Sequence, residues 1–304
     1  MKNNFVWGAA SASYQVEGGW NEDCKTPSIW DDFAHDKKCY RNQTGDVACD
    51  HYHRYEEDVA LMKELGLNAY RFSMSWSRIM PAEGVVNEKG VTFYNRLIDR
   101  LIENNIKPVV TLYHWDMPRW VYEKGGFLNR DIVRLFSDYV SVVAEKFGDR
   151  VKTFITINEP QCVLHGGLYS DGLAPAIKVS LRDLLKAGHN LLLCHGAAVK
   201  ILREKVFGAE IGMATCGWVT CPADDTKESE TAAYNDFFKV WKEEPMNCMS
   251  VLADPVYLGD YPKEYYEHFK DELPDITKED LKLISSPIDF IAQNIYSGFY
   301  MDGN

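Results

Sequence analysis

KTFITINEP, residues 152–160, is the stretch from which the chain can be read. Phe154, Ile155 and Ile157 are apolar, and Thr153, Ile155 and Thr156 are β-branched, so the run has strand character. Pro160 ends it, because proline has no N–H to give to a sheet ladder. The strand therefore finishes on Asn158 and Glu159, an amide beside a carboxylate. A carboxylate at the end of a buried strand is costly unless it is partnered or opens into a cavity. In barrels of parallel strands, that end carries the catalytic groups. Taken alone, the pair equally suits a polar strand end that caps the next helix.

On either side of this stretch, strand and helix patterns alternate. Strands are expected at 5–10, 68–76, 107–115, 152–158, 209–216 and 286–296. Helices are expected at 53–66, 88–105, 129–148, 180–208 and 231–243, with Gly66 and Gly148 as stops. Short apolar strands separated by helices call for a parallel sheet with helices outside. Right-handed crossovers then curl that sheet toward a barrel. No Gly-rich dinucleotide fingerprint follows a strand, and no phosphate-binding loop is present.

The strand ends share a chemistry. Tyr14, Gln15 and Glu17 follow the first strand; Arg71, Ser73, Trp76 and Arg78 lie on and after the second. His114, Trp115 and Asp116 close the third, Asn158 and Glu159 the fourth, and Asn294 and Tyr296 the sixth. Buried polar groups at this density need partners. Amides and imidazole suit sugar hydroxyls, indole offers a flat face to a pyranose, and a carboxylic acid can protonate a glycosidic oxygen.

Bulk properties narrow the classes. The 304 residues carry a net charge of −12, which argues against nucleic acid and anionic membrane as partners. The eight cysteines are scattered, and their count does not make a disulfide framework in a chain of this length. They are expected to be mostly reduced and buried, in a cytoplasmic protein. Cys216 and Cys221 lack the spacing of a zinc motif, and no signal peptide or membrane-spanning run is read. His51 and His53 read as surface or capping residues, Trp76 and Trp120 as packing, and His189 and His195 as not sharing a helix face.

FVWGAASASYQVEG (5–18), RFSMSWSRIMP (71–81), TLYHWDMP (111–118) and TINEP (156–160) together resemble the signatures of glycoside hydrolase family 1, the β-glucosidase and β-galactosidase group. The resemblance implies an α/β fold of TIM (β/α)8 barrel type, with about the first six βα units present as one incomplete barrel domain over 1–304. It implies retaining hydrolysis of β-D-glucosides or galactosides with no metal and no cofactor. Glu159 would be the acid/base, Asn158 would hold the sugar 2-hydroxyl, and Gln15 and His114 the outer hydroxyls. Trp115 would line the sugar subsite, and Arg71 and Tyr296 would contact the nucleophile.

Two departures qualify this. Asn294-Ile295-Tyr296 stands where the family has Asn-Tyr-Tyr. The family's nucleophile stretch, Thr/Ile-Glu-Asn-Gly, occurs nowhere in the 304 residues. The expectation is a barrel left open, with the first and sixth strands as bare edges that invite self-association or a complementing C-terminal fragment. The chain alone is then not a self-sufficient enzyme. A non-catalytic sugar- or partner-binding half-barrel and a 6-phospho-β-glycosidase are the alternative readings.

Overall fold

The computed structural model describes residues 5–170 and 172–303. Its strands are β1 (Gly8–Ala10), β2 (Ala69–Ser73), β3 (Lys107–Tyr113), β4 (Thr153–Asn158), β5 (Glu210–Pro222) and β6 (Phe290–Met301). They lie in one sheet in chain order, β1-β2-β3-β4-β5-β6. The β1–β2, β2–β3 and β3–β4 pairs are parallel, with Arg71 opposite Val109 and Val110 opposite Phe154. Sequential order with a helix between neighbours is the arrangement the alternating pattern calls for.

By packing, the chain divides into two compact units. One takes in the described residues through Gly126 with Arg134–Ile157 and Ala198–Gly212. Val110, Leu112, Phe154 and Ile157 are among its buried strand residues, each contributing about 1.5–3 kcal/mol by leaving water. The helix Glu88–Glu103 packs Val91, Phe93, Tyr94, Leu97, Ile98 and Leu101 inward and begins where the Asn87 side chain accepts from the Lys89 N–H. Trp76 is buried and stacks on Tyr139 at 5.1 Å, and Trp120 meets it edge-on, so both indoles pack as expected.

Beneath the strand ends of this unit lies a buried ion pair. Arg78 Nε donates to Glu17 Oε2 at 3.0 Å, and its guanidinium lies 4.0 Å from the centre of the Tyr52 ring. Tyr94 O–H donates to the other Glu17 oxygen at 2.5 Å.

The second unit comprises Phe127–Val133, Asn158–Ala197 and the described residues from Met213 on. The segment after Pro160 is a π-helix, Cys162–Tyr169. Three α-helices between 249 and 284 follow: Met249–Tyr257, Lys263–His268 and Lys278–Ile284. The last starts on a reciprocal cap between Thr277 and Asp280. Asp280 also pairs with Arg130 and His189. Gly196 is needed for close packing, since a Cβ there would stand 2.1 Å from the Leu283 carbonyl oxygen.

Several expectations are corrected. His51 is not a surface residue: it is buried, with Nδ1 2.6 Å from Asp58, while His53 is exposed beside Asp50 and Glu22. All eight cysteines are free, but only Cys194 and Cys248 are buried. β5 runs to Pro222 and β6 to Met301, beyond the expected ends, and β1 is only three residues long. The helix expected at 231–243 forms at Lys227–Phe238, because Thr226 caps it by accepting from the Ser229 N–H. Among the described residues, no helix is long and apolar enough to cross a membrane.

Candidate active site

Glu159 stands where the strand ends and the chain turns. Its φ is +49°, in the left-handed region that a residue with a Cβ enters at a cost of about 1–3 kcal/mol. Its N–H donates to the Ala214 carbonyl at 2.6 Å, which ties the turn to β5. The residue is 5% exposed and its carboxyl meets two polar neighbours. Asn294 Nδ2 donates to Glu159 Oε1 at 2.5 Å and to Asn158 Oδ1 at 2.9 Å. Cys162 Sγ–H donates to Glu159 Oε2 at 3.2 Å.

Cys216, midway along β5, completes the group with its Sγ 3.7 Å from that of Cys162. Gln161 holds Cys216 by its backbone: Nε2 donates to the Cys216 carbonyl at 3.0 Å, and Oε1 accepts the Cys216 N–H at 3.3 Å. The Cys216 thiol, burial and Glu159 all push the Cys162 thiol well up from the ordinary thiol range.

These groups open on a cavity of about 600 Å³, whose lining includes Glu159, Cys162, Cys216, Trp218, Trp241 and Tyr296. Trp218 is oriented by its Nε1–H, which donates to Asp236 at 2.8 Å. Lys239 Nζ lies 4.4 Å from the centre of the Trp241 ring. A carboxyl at the edge of an aromatic-walled cavity can exchange a proton with an oxygen of a stacked ligand.

Of the sequence candidates in the other unit, Gln15, His114 and Trp115 line one cavity of about 360 Å³. Trp115 has φ +78° and stacks on Trp30 at 6.4 Å, so its indole is set by a left-handed backbone and a second ring. Arg71 Nε donates to Thr111 Oγ1 at 2.9 Å across β2 and β3. Burial, with the Arg71 charge adding to it, pushes His114 down to about 3, so the ring is neutral and can both donate and accept. Two residues on, Asp116 accepts from Ser13 Oγ–H at 2.8 Å. Burial pushes its carboxyl up to about 7, with Glu17 adding to this and Ser13 and Lys25 opposing it.

The two shifts have opposite effects on stability. The unfolded chain protonates His114 near 6.5, whereas the folded chain does so only near 3, so this contribution is full above 6.5 and lost as pH falls through about 3. Asp116 ionises near 3.8 unfolded and near 7 folded, so its contribution is full below 3.8 and lost as pH rises through about 7. Asp116→Asn removes only the second slope. The variant's unfolding free energy should gain on the parent's between pH 4 and 7, by up to about 4 kcal/mol for a shift from 3.8 to about 7. Urea unfolding at each pH measures the difference, and a flat difference contradicts the burial argument.

Sequence reasoning missed Cys162, Gln161, Cys216, Trp218 and Trp241. The two cysteines are 54 positions apart, so no spacing rule links them. A signal did exist: the fifth strand was expected to end on Cys216, at the same end of the sheet as Glu159, and no role was given to it.

The comparisons with known proteins agree with one another. The sequence profile described as Glycosyl hydrolase family 1 matches residues 1–304. Beta-glucosidase A of Acetivibrio thermocellus is 45% identical over 302 residues, covering 98% of this chain and 65% of its own length. Beta-glucosidase A of Thermotoga maritima is 43% identical, covering 97% and 65%. The structure of the Thermotoga maritima beta-glucosidase with castanospermine superposes with a TM-score of 0.88 at 41% identity, over 99% of this chain and 66% of that one. The chain thus spans about two thirds of the relatives it matches, and the likeness bears out the α/β fold of TIM-barrel type with six βα units. The chain belongs to glycosyl hydrolase family 1.

Proposed function

We propose that the chain is the acid/base-bearing part of a retaining β-glycosidase acting on β-D-glucosides or galactosides. The observation that carries this is the Glu159 carboxyl, held by Asn294 at 2.5 Å on the lining of an aromatic cavity. In the first half-reaction, protonated Glu159 gives its proton to the glycosidic oxygen while a second carboxylate attacks the anomeric carbon. In the second, Glu159 takes a proton from water, which then releases the sugar. Asn158 binds the 2-hydroxyl, Gln15 and neutral His114 bind the outer hydroxyls, and Trp115 lines the subsite. Arg71 and Tyr296 serve the attacking carboxylate. The reaction so drawn takes no cofactor.

The second carboxylate is not supplied by these 304 residues in the family's form, since no Thr/Ile-Glu-Asn-Gly stretch occurs in them. A further segment or a second chain supplies it. What supports this is β6, a terminal strand of the sheet whose Ile291, Ile295, Tyr296, Phe299 and Tyr300 are exposed. A cytoplasmic location fits eight free thiols.

The test pairs an aryl β-glucoside assay of the purified 304-residue chain with calorimetry against glucose. Sugar binding without turnover is expected. Sustained turnover by this polypeptide alone would overturn the missing carboxylate, and absence of both binding and turnover would count against the sugar site.

A further inference from the structure

Glu159, Cys162 and Cys216 offer one oxygen and two sulfurs that all lie within 4.8 Å of one another. We propose that this cluster is a binding site for a thiophilic divalent cation of the zinc class, seated on the acid/base residue itself.

Two of the three ligand-to-ligand distances suit a tetrahedral site, and the third lies within 4.8 Å. Two sulfurs each about 2.3 Å from one zinc ion stand about 3.8 Å apart. The Cys162 and Cys216 sulfurs are 3.7 Å apart. A sulfur at about 2.3 Å and a carboxylate oxygen at about 2.0 Å stand about 3.5 Å apart. The Cys162 sulfur and Glu159 Oε2 are 3.2 Å apart, so only a small spreading is needed. Binding replaces both thiol protons and the Cys162–Glu159 hydrogen bond with three bonds to the cation.

The supporting groups are in place. Glu159 Oε1 is occupied by Asn294, which leaves Oε2 as the single coordinating oxygen. Gln161 fixes the backbone of Cys216 from both sides. Such partners orient ligands and add affinity. Three protein ligands leave a fourth position, and the adjoining cavity of about 600 Å³ gives it water. Both cysteines are partly accessible, so an ion can enter from that cavity.

A cation on Oε2 occupies the lone pair that carries the proton in glycoside cleavage. Occupancy and proton donation therefore exclude each other, and the cation acts as a reversible inhibitor. This consequence rests on the acid/base reading of Glu159, whereas the site itself does not.

Cobalt(II) is the probe. It is titrated into the chelator-treated, fully reduced 304-residue chain without oxygen, and the visible spectrum is followed. One equivalent should give the intense visible absorption of tetrahedral cobalt together with thiolate charge transfer, and zinc should bleach both. Cys162→Ser and Cys216→Ser should each weaken binding by at least about tenfold and reduce the charge transfer. Glu159→Gln should weaken binding while keeping the thiolate bands, and Cys221→Ser, at an exposed cysteine, should change nothing. Far-UV circular dichroism checks that each variant is folded. Absence of tetrahedral bands in the parent, or bands unchanged in folded Cys216→Ser, overturns the site. Loss of the acid/base reading would instead appear only in half-reaction kinetics of Glu159→Gln in a protein that also supplies the second carboxylate, with the cobalt spectra of the 304-residue chain still as expected.

Discussion

With Glu159 as the proposed acid/base, Glu159→Gln is expected to slow cleavage of β-glucosides with poor leaving groups by about 10²–10⁴-fold in a protein that also supplies the second carboxylate. The amide keeps an oxygen for Asn294 to bond, so the cavity wall stays in place while the transferable proton is lost. A leaving group that departs readily as an anion does not need that proton. Formation of the glycosyl intermediate from an activated aryl glycoside should therefore be nearly unaffected, while its hydrolysis slows because no base activates water. Single-turnover measurement of the two half-reactions separates these outcomes. Equal loss on both substrate types would remove Glu159 from the acid role.

The largest expected effect on stability lies at Arg78. Arg78→Met leaves the Glu17 carboxylate buried with only Tyr94 as a partner and empties the face of the Tyr52 ring. The Gly18 carbonyl also loses its guanidinium donor, and that of Gly19 keeps only the Glu22 N–H. Breaking one side of a buried ion pair costs about 3–5 kcal/mol. Replacing Glu17 by Met as well removes the stranded charge, so the double variant should recover about 2 kcal/mol or more. Urea denaturation of the single and double variants measures both. A double variant no better than Arg78→Met would mean that the guanidinium acts mainly through packing and the glycine carbonyls. Glu17 sits directly after the short helix Ser13–Val16 that carries Gln15, so this stability and the wall of the Gln15 cavity are fixed by the same segment.

The parts of the fold visible in the sequence were those governed by local periodicity and stop signals. The strand ending at Pro160 and the helix Glu88–Glu103 lie where apolar spacing, proline and cap residues put them. His51 was misread because its burial depends on Asp58, one turn of helix beyond its near neighbours, and on packing against Tyr70. β6 was set too early and too short, because its exposed apolar residues do not alternate with polar ones. At the site, Glu159 was legible because a carboxylate preceding a proline at a strand end is chemically conspicuous. The thiols were not, because only the adjacency of β4 and β5 brings residues 54 positions apart together.

The left-handed backbone at Glu159 has a consequence for descent. Glycine or asparagine would adopt that turn with less strain than glutamate. A lineage released from cleaving sugars would thus be rewarded with a sturdier protein for abandoning glutamate at this place. Under the acid/base role proposed for Glu159, the proton it carries is what offsets that strain.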